Sequence, residues 1–192
     1  MKILLFLFLL QISGYSLSQV ATDTVDLKNV NHSFLSELIL EKCNEERAKV
    51  GAVPFIPNKV CQMTAQYQSD YMSHFLTPTH YNNNTFQGVK LYGPEDRVDY
   101  FNKKNNSKYL YDGEICFSIY DAELYMKYTY EQLAMEAING FMNSLPHRTI
   151  MLTDLEKMQI PAIQYGSFAT SSNITNGKFS YYVTGAFIYV NK

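Results

Sequence analysis

The sequence contains no tryptophan, only four histidines and only three cysteines in 192 residues. Each scarcity excludes something. Cys43, Cys61 and Cys116 allow at most one internal disulfide with one thiol left over, so the chain is not a disulfide scaffold. Their spacing fits no zinc-knuckle pattern, and structural, buried thiols are the expectation. The few histidines form no H-E-x-x-H, and no G-x-S-x-G, Ser-His-Asp signature or glycine-rich phosphate loop is present. Charge of one sign is also lacking: 16 basic residues face 18 acidic ones. Without a basic stripe there are no counterions to release, so nucleic acid is not an expected partner.

Long apolar runs are missing except at the start. Residues 3 to 12, "ILLFLFLLQI", follow Lys2 and precede Ser16-Leu17-Ser18, which puts small residues at −3 and −1 before Gln19. That is the pattern of a secretory signal peptide. The run is shorter than the roughly 20 helical residues that span a bilayer, and no later segment is a transmembrane candidate. The expected organisation is therefore a signal peptide over 1–18, a polar, flexible lead-in over 19–32 and one domain over 33–192. Removal of the signal peptide leaves 15 basic and 18 acidic residues, a formal charge of −3. Four Asn-x-Ser/Thr sequons, at Asn31, Asn83, Asn105 and Asn173, would be modified only in a eukaryotic secretory pathway.

What the chain does have is hydrophobic content of 46% and 16 tyrosines, eight of them from Tyr92 to Tyr130. Half-buried aromatic packing is the ordinary use of such residues, and a sugar- or peptide-stacking surface the rarer one. From Ser33 to Val50, Leu35, Leu38, Ile39 and Cys43 recur at helical spacing, with Gly51 as the stop. Asn58 can cap a second helix whose apolar side runs Val60, Met63 or Thr64, Tyr67, Tyr71 and Phe75, ended by Pro78. Residues 81 to 112 read as a long loop, since "YNNNTFQG", "YGPEDR" and "NKKNNSKY" are turn chemistry with little periodicity. A short segment, "GEICFSIY", follows. A further helix spans about Thr129 to Ser144, with Thr129 and Gln132 as a capping box. Then come β-like "QIPAIQYGSFA", a hairpin loop "TSSNITNGK" and a β-rich "FSYYVTGAFIYV". Helices first and an antiparallel hairpin last indicate an α+β or layered αβα domain.

His80, Glu114 and His147 each lie where an ordered element begins or ends, and imidazole with carboxylate can bind Zn²⁺ or act as acid and base. Nothing in their spacing alone brings the three together, and a helix-end histidine capping carbonyls is the commoner arrangement. The order of motifs, however, resembles the CAP superfamily of SCP-like extracellular proteins, which includes cysteine-rich secretory proteins, venom allergens and plant pathogenesis-related proteins. "NEERAKVGAVPFIP" looks like the family's N-x-x-R-x-x-x-G-x-x-P opening, and a helix and a histidine, His80, follow it. "GPEDR" is similar to a bacterial linker with an arginine before the next motif, and "GEI" resembles Gly-Glu-Asn. "FMNSLPHRTIML" looks like the bacterial Trp-x-x-Ser-Pro-Gly-His-Arg-x-x-(Ile/Leu)-Leu, and "YYVTGAFIYV" like the closing tyrosine-rich strand. The likeness covers roughly residues 34 to 190.

The resemblance implies a three-layer αβα sandwich of the CAP/SCP type, with a central cleft carrying two histidines and two acids. Residue by residue, His80 and His147 fall on the histidines, which would ligate a divalent metal such as zinc, and Glu114 on the first acid. The second acid has no counterpart: its position falls near Asn143-Ser144, while Glu131 and Glu136 lie on the same helix without assignment. Ile115 replaces the family's asparagine, Phe141 its tryptophan, and Leu145-Pro146 its Pro-Gly. The expectation is a secreted or periplasmic, bacterial-type, non-catalytic domain that binds an unknown ligand (lipid, peptide or glycan) or Zn in a His80/Glu114/His147 cleft. A hydrolase of peptide or cell-wall substrates is one alternative. The other is an interaction module docking through its tyrosine-rich region, with a vestigial cleft.

Overall fold

In the computed structural model the described residues are 19–192; the expected signal peptide, residues 1–18, lies outside them. Helix α1 spans His32–Lys49 and starts where Asn31 Oδ1 accepts the Phe34 backbone N–H at 3.1 Å. Gly51, at φ +67°, supplies the left-handed residue just beyond its end. Helix α2, Lys59–Phe75, begins at the expected cap, with Asn58 accepting from Val60 N. Helix α4, Tyr130–Asn143, starts on the reciprocal Thr129–Gln132 capping box.

The structure departs from expectation in three segments. Residues 81–112 hold helix α3, Pro94–Asn105, because Pro94 occupies the first turn and the Asp96 side chain accepts the Gly93 N–H. "GPEDR" is thus a helix start rather than a turn. "LPHRTIML" is itself a helix, α5, Leu145–Leu152, separated from α4 only by Ser144. His147 therefore opens a helix and does not cap the end of one. The hairpin loop shrinks to Asn176-Gly177, whose φ values of 52° and 75° are the positive pair of a two-residue type I′ turn. Strands β2, Ala162–Thr175, and β3, Lys178–Asn191, run straight up to it.

Strand β1, Leu110–Glu123, pairs antiparallel with β3, so the sheet order is β1-β3-β2 with β1 and β2 at the edges. Neighbouring residues on a strand face opposite ways. Phe168, Phe187 and Ile115 join the core cluster with α1 and α4, whereas Ala169 and Ala186 meet Ala65 of α2, and Ile188 packs with Tyr67 and Phe101. One face of the sheet thus carries α1, α4 and α5, and the other carries α2 and α3. The architecture is α+β in three layers.

Residues 19–31 contain no helix or strand, yet they are fastened to the domain. Val25 N–H donates to Tyr128 O at 2.8 Å, Glu131 N–H to Ala21 O at 2.8 Å, and Val25 and Leu27 are buried. All three cysteines are free; Cys43 and Cys61 are fully buried, and burial pushes the Cys43 thiol up to about 12. Among the described residues no helix is long and apolar enough to cross a membrane. Of the eight clustered tyrosines, Tyr130 is in the core, Tyr128 packs half-buried against it, Tyr100, Tyr109 and Tyr111 pack against the α2–α3 cluster, and Tyr92, Tyr120 and Tyr125 are exposed.

His32 opens α1 with its ring between Thr170 Oγ1 (2.8 Å) and Ser172 Oγ (3.1 Å), and burial holds its pKa below the usual histidine value. The unfolded chain therefore takes up this proton at a higher pH than the folded one. Stability from this group is unaffected above the ordinary histidine range and falls as pH drops through it towards the folded value. Urea midpoints should fall between pH 7.5 and pH 5, and His32→Gln should reduce that fall. An unchanged fall in the variant would rule His32 out as a contributor.

Candidate functional site

His80 lies on the loop after α2, held by buried neighbours. Gln68 of α2 donates to Thr79 O and accepts from Asn82 Nδ2 at 2.8 Å, and Arg97 Nη2 donates to His80 O at 3.0 Å. Arg97 comes from α3, so the helix unforeseen in the loop is the one that delivers this side chain. The same Nη2 donates to both Glu114 oxygens, at 2.8 and 2.7 Å, with both side chains sealed from solvent. Glu114 projects from β1 and takes the His80 Nδ1 contact at 3.0 Å.

A carboxylate held on Arg97 only accepts, so His80 Nδ1 carries the hydrogen of this contact, and whenever the ring is neutral the lone pair falls on Nε2. This fixes the tautomer and keeps Nε2 clear of the Glu114 contact. His147 comes in from the first turn of α5. Its ring centroid is 6.4 Å from that of His80 and 5.6 Å from Phe141, against which it stands edge-on. Burial first, and the neighbouring His80 second, lower the His147 pKa and favour its neutral form. The folded chain thus brings His80, Glu114 and His147 together at the β1 edge of the sheet.

Sequence reasoning did not place Cys116 at this locus. Two residues beyond Glu114 on β1, it shares that residue's face, and its Sγ lies 3.7 Å from His80 Nδ1, from Glu114 Oε1 and from Thr79 O. The Glu-x-Cys alternation on a strand was the available signal. Ligand atoms of His80, Glu114 and Cys116 all lie within 4.8 Å of one another, a group able to hold a metal ion. Burial, reinforced by the Glu114 charge, holds the Cys116 thiol well above its usual pKa, so it stays protonated at neutral pH. Ile115 points the other way, into the core, and Glu131 and Glu136 are exposed on α4 and take no part in the group.

The fold superposes on an outer surface protein of Borrelia burgdorferi with a TM-score of 0.51 at 13% identity, covering 89% of this chain and 99% of that one. An extracellular SCP-domain protein of Bacillus anthracis gives a TM-score of 0.48 at 14% identity, over 84% of this chain and 41% of that one. The CAP domain of enterococcal PrgA gives 0.46 at 13% identity, over 90% and 67%. Bacterial SCP and CAP domains are among its structural neighbours. At these identities the likeness is one of fold. No protein-family model and no curated protein matches the sequence. The first two neighbours are named as outer-surface and extracellular proteins.

Proposed function

We propose that the chain is an exported CAP-type domain that binds a divalent metal ion, zinc by donor chemistry, between His80 and His147. The observation that carries this reading is the His80–Glu114–Arg97 chain, which commits His80 Nδ1 and leaves Nε2 free to ligate, with the His147 ring centroid 6.4 Å from that of His80. Two rings sharing one ion through Zn–N bonds of about 2.0–2.1 Å have centroids about 5–6 Å apart. The separation of 6.4 Å is within a small side-chain adjustment of that. A bound zinc would supply a Lewis-acidic centre with coordination positions open to water or to an anionic group of a ligand.

The inner group of His80, Glu114 and Cys116 is the less favourable donor set. Its carboxylate is already neutralised by Arg97, its thiol is protonated, and His80 Nδ1 is committed to Glu114. Glu114 acts as the orienting acceptor behind His80, a role whose loss typically weakens metal binding about 10- to 100-fold. Export is supported by the apolar run after Lys2.

Calorimetric titration of the purified protein with zinc at pH 7.5 should show about one ion per chain. His80→Ala and His147→Ala should each abolish binding, Glu114→Gln should weaken it about 10- to 100-fold, and Cys116→Ser should leave it intact. Absence of binding in the unaltered protein overturns the proposal. Loss in Cys116→Ser with retention in His147→Ala would place the ion in the inner group instead.

A further inference from the structure

A groove of about 1120 Å³ runs between α1 and α2 over Phe168 of β2. It lies along the β2 edge of the sheet, with β3 between it and the His80 cleft at the β1 edge. Leu40 from α1 and Met63 from α2 give it an apolar lining. The α1 core face is Leu35, Leu38, Ile39 and Cys43; Leu40, half-buried, packs against that core and also lines the groove.

The α1 rim is acidic. Glu37, Glu41 and Glu45 follow at four-residue intervals, all exposed, which puts them on one side of the helix about 6 Å apart. Glu45 pairs with Lys42 at 2.8 Å, whereas Glu37 and Glu41 have no ion pair among the described residues. Among those residues Lys59 is the one cation lining the groove. A carboxylate row beside an apolar trough repels a fatty-acid headgroup or an anionic membrane and attracts a cation with an apolar flank.

We propose that this groove receives a cationic amphipathic helix of a partner protein. Its apolar stripe would lie on Leu40 and Met63, and Lys or Arg residues at four-residue spacing would face Glu37 and Glu41. The matching repeat of the two helices, about 6 Å, gives the register. The surface is independent of the metal reading, since no cleft residue lines it.

The test uses a fluorescent helical peptide of about 15 residues with leucines at i, i+3 and i+4 and lysines along one flank. Saturable one-to-one binding to the purified protein is expected, with slowed amide exchange confined to α1 and α2. The charge-reversing pair Glu37→Lys with Glu41→Lys should weaken it about tenfold, Leu40→Asp should do so as well, and His80→Ala with His147→Ala should leave it unchanged. No saturable binding overturns the proposal. So does equal binding by the charge-reversed protein or by a scrambled peptide lacking the apolar stripe. Displacement by dodecanoate that improves on charge reversal would identify a lipid groove and overturn it too.

Discussion

Replacing Arg97 with methionine should lower the stability of the fold by about 3–5 kcal/mol, because it leaves the Glu114 carboxylate buried without its cation. Both side chains are shielded, at 0% and 1% exposure, so solvent screening offers no relief. Arg97 also ties the His80 carbonyl to α3, so the loop bearing His80 loosens with it. For a chain of this size the melting temperature should drop on the order of 10 °C. Pairing the change with Glu114→Met removes the stranded charge and should restore most of the loss, since a well-packed apolar pair replaces a buried ion pair at little cost. Zinc binding should be about 10- to 100-fold weaker in the double variant even so, because His80 then lacks the acceptor that fixes its tautomer. A single-variant loss below about 1 kcal/mol, as for an exposed pair, would show that the pair is not the buried anchor described.

The second large effect is expected at Arg47. This guanidinium is fully buried over the Phe55 ring at 3.6 Å, and it donates to Val53 O, Met151 O and Thr153 O, each at 2.8 Å. It joins the end of α1, the connector that follows and the end of α5. Arg47→Met removes all three bonds, strands the buried Met151 carbonyl and should cost about 3–5 kcal/mol. Arg47→Lys should recover only part of it, because an ammonium cannot reproduce the planar fork. Chemical denaturation with an unchanged slope and a lowered midpoint is the expected record. If Lys proves fully equivalent, the fork geometry is not what holds the connector.

Arg47 and its neighbour also show why part of the fold was readable in advance. In "NEERAKVGAVPFIP", Asn44 accepts Phe55 N–H at 2.8 Å and donates to Phe55 O at 3.2 Å, while Arg47 takes Val53. The polar residues of this motif are a clamp on the chain reversal between α1 and α2, and polar clamps leave clear sequence traces. So do side-chain caps, which is why the starts of α2 and α4 were legible at Asn58 and Thr129. Helices α3 and α5 were not legible because each opens on proline, which marks a turn and a first helical turn equally well. For the site, His80, Glu114 and His147 came from the order of motifs, since residues so far apart in the chain carry no local signal of proximity. Cys116 needed the strand itself: its nearness to His80 follows from the alternation of β1 and from the loop folding back over it.

The sheet order carries a consequence for the timing of assembly. Among the described residues strand β1 pairs with β3 alone, and β3 follows both other strands in sequence. Until residues 178–191 are available, Glu114 and Cys116 lie on an unpaired segment and neither layer of helices has a complete sheet to pack on. The pairings that close the domain run from Glu123↔Lys178 to Leu110↔Tyr189, a long-range topology of the slow-folding kind. A chain that still lacks residues 178–191 therefore cannot pair β1 or set Glu114 and Cys116 in place beside His80.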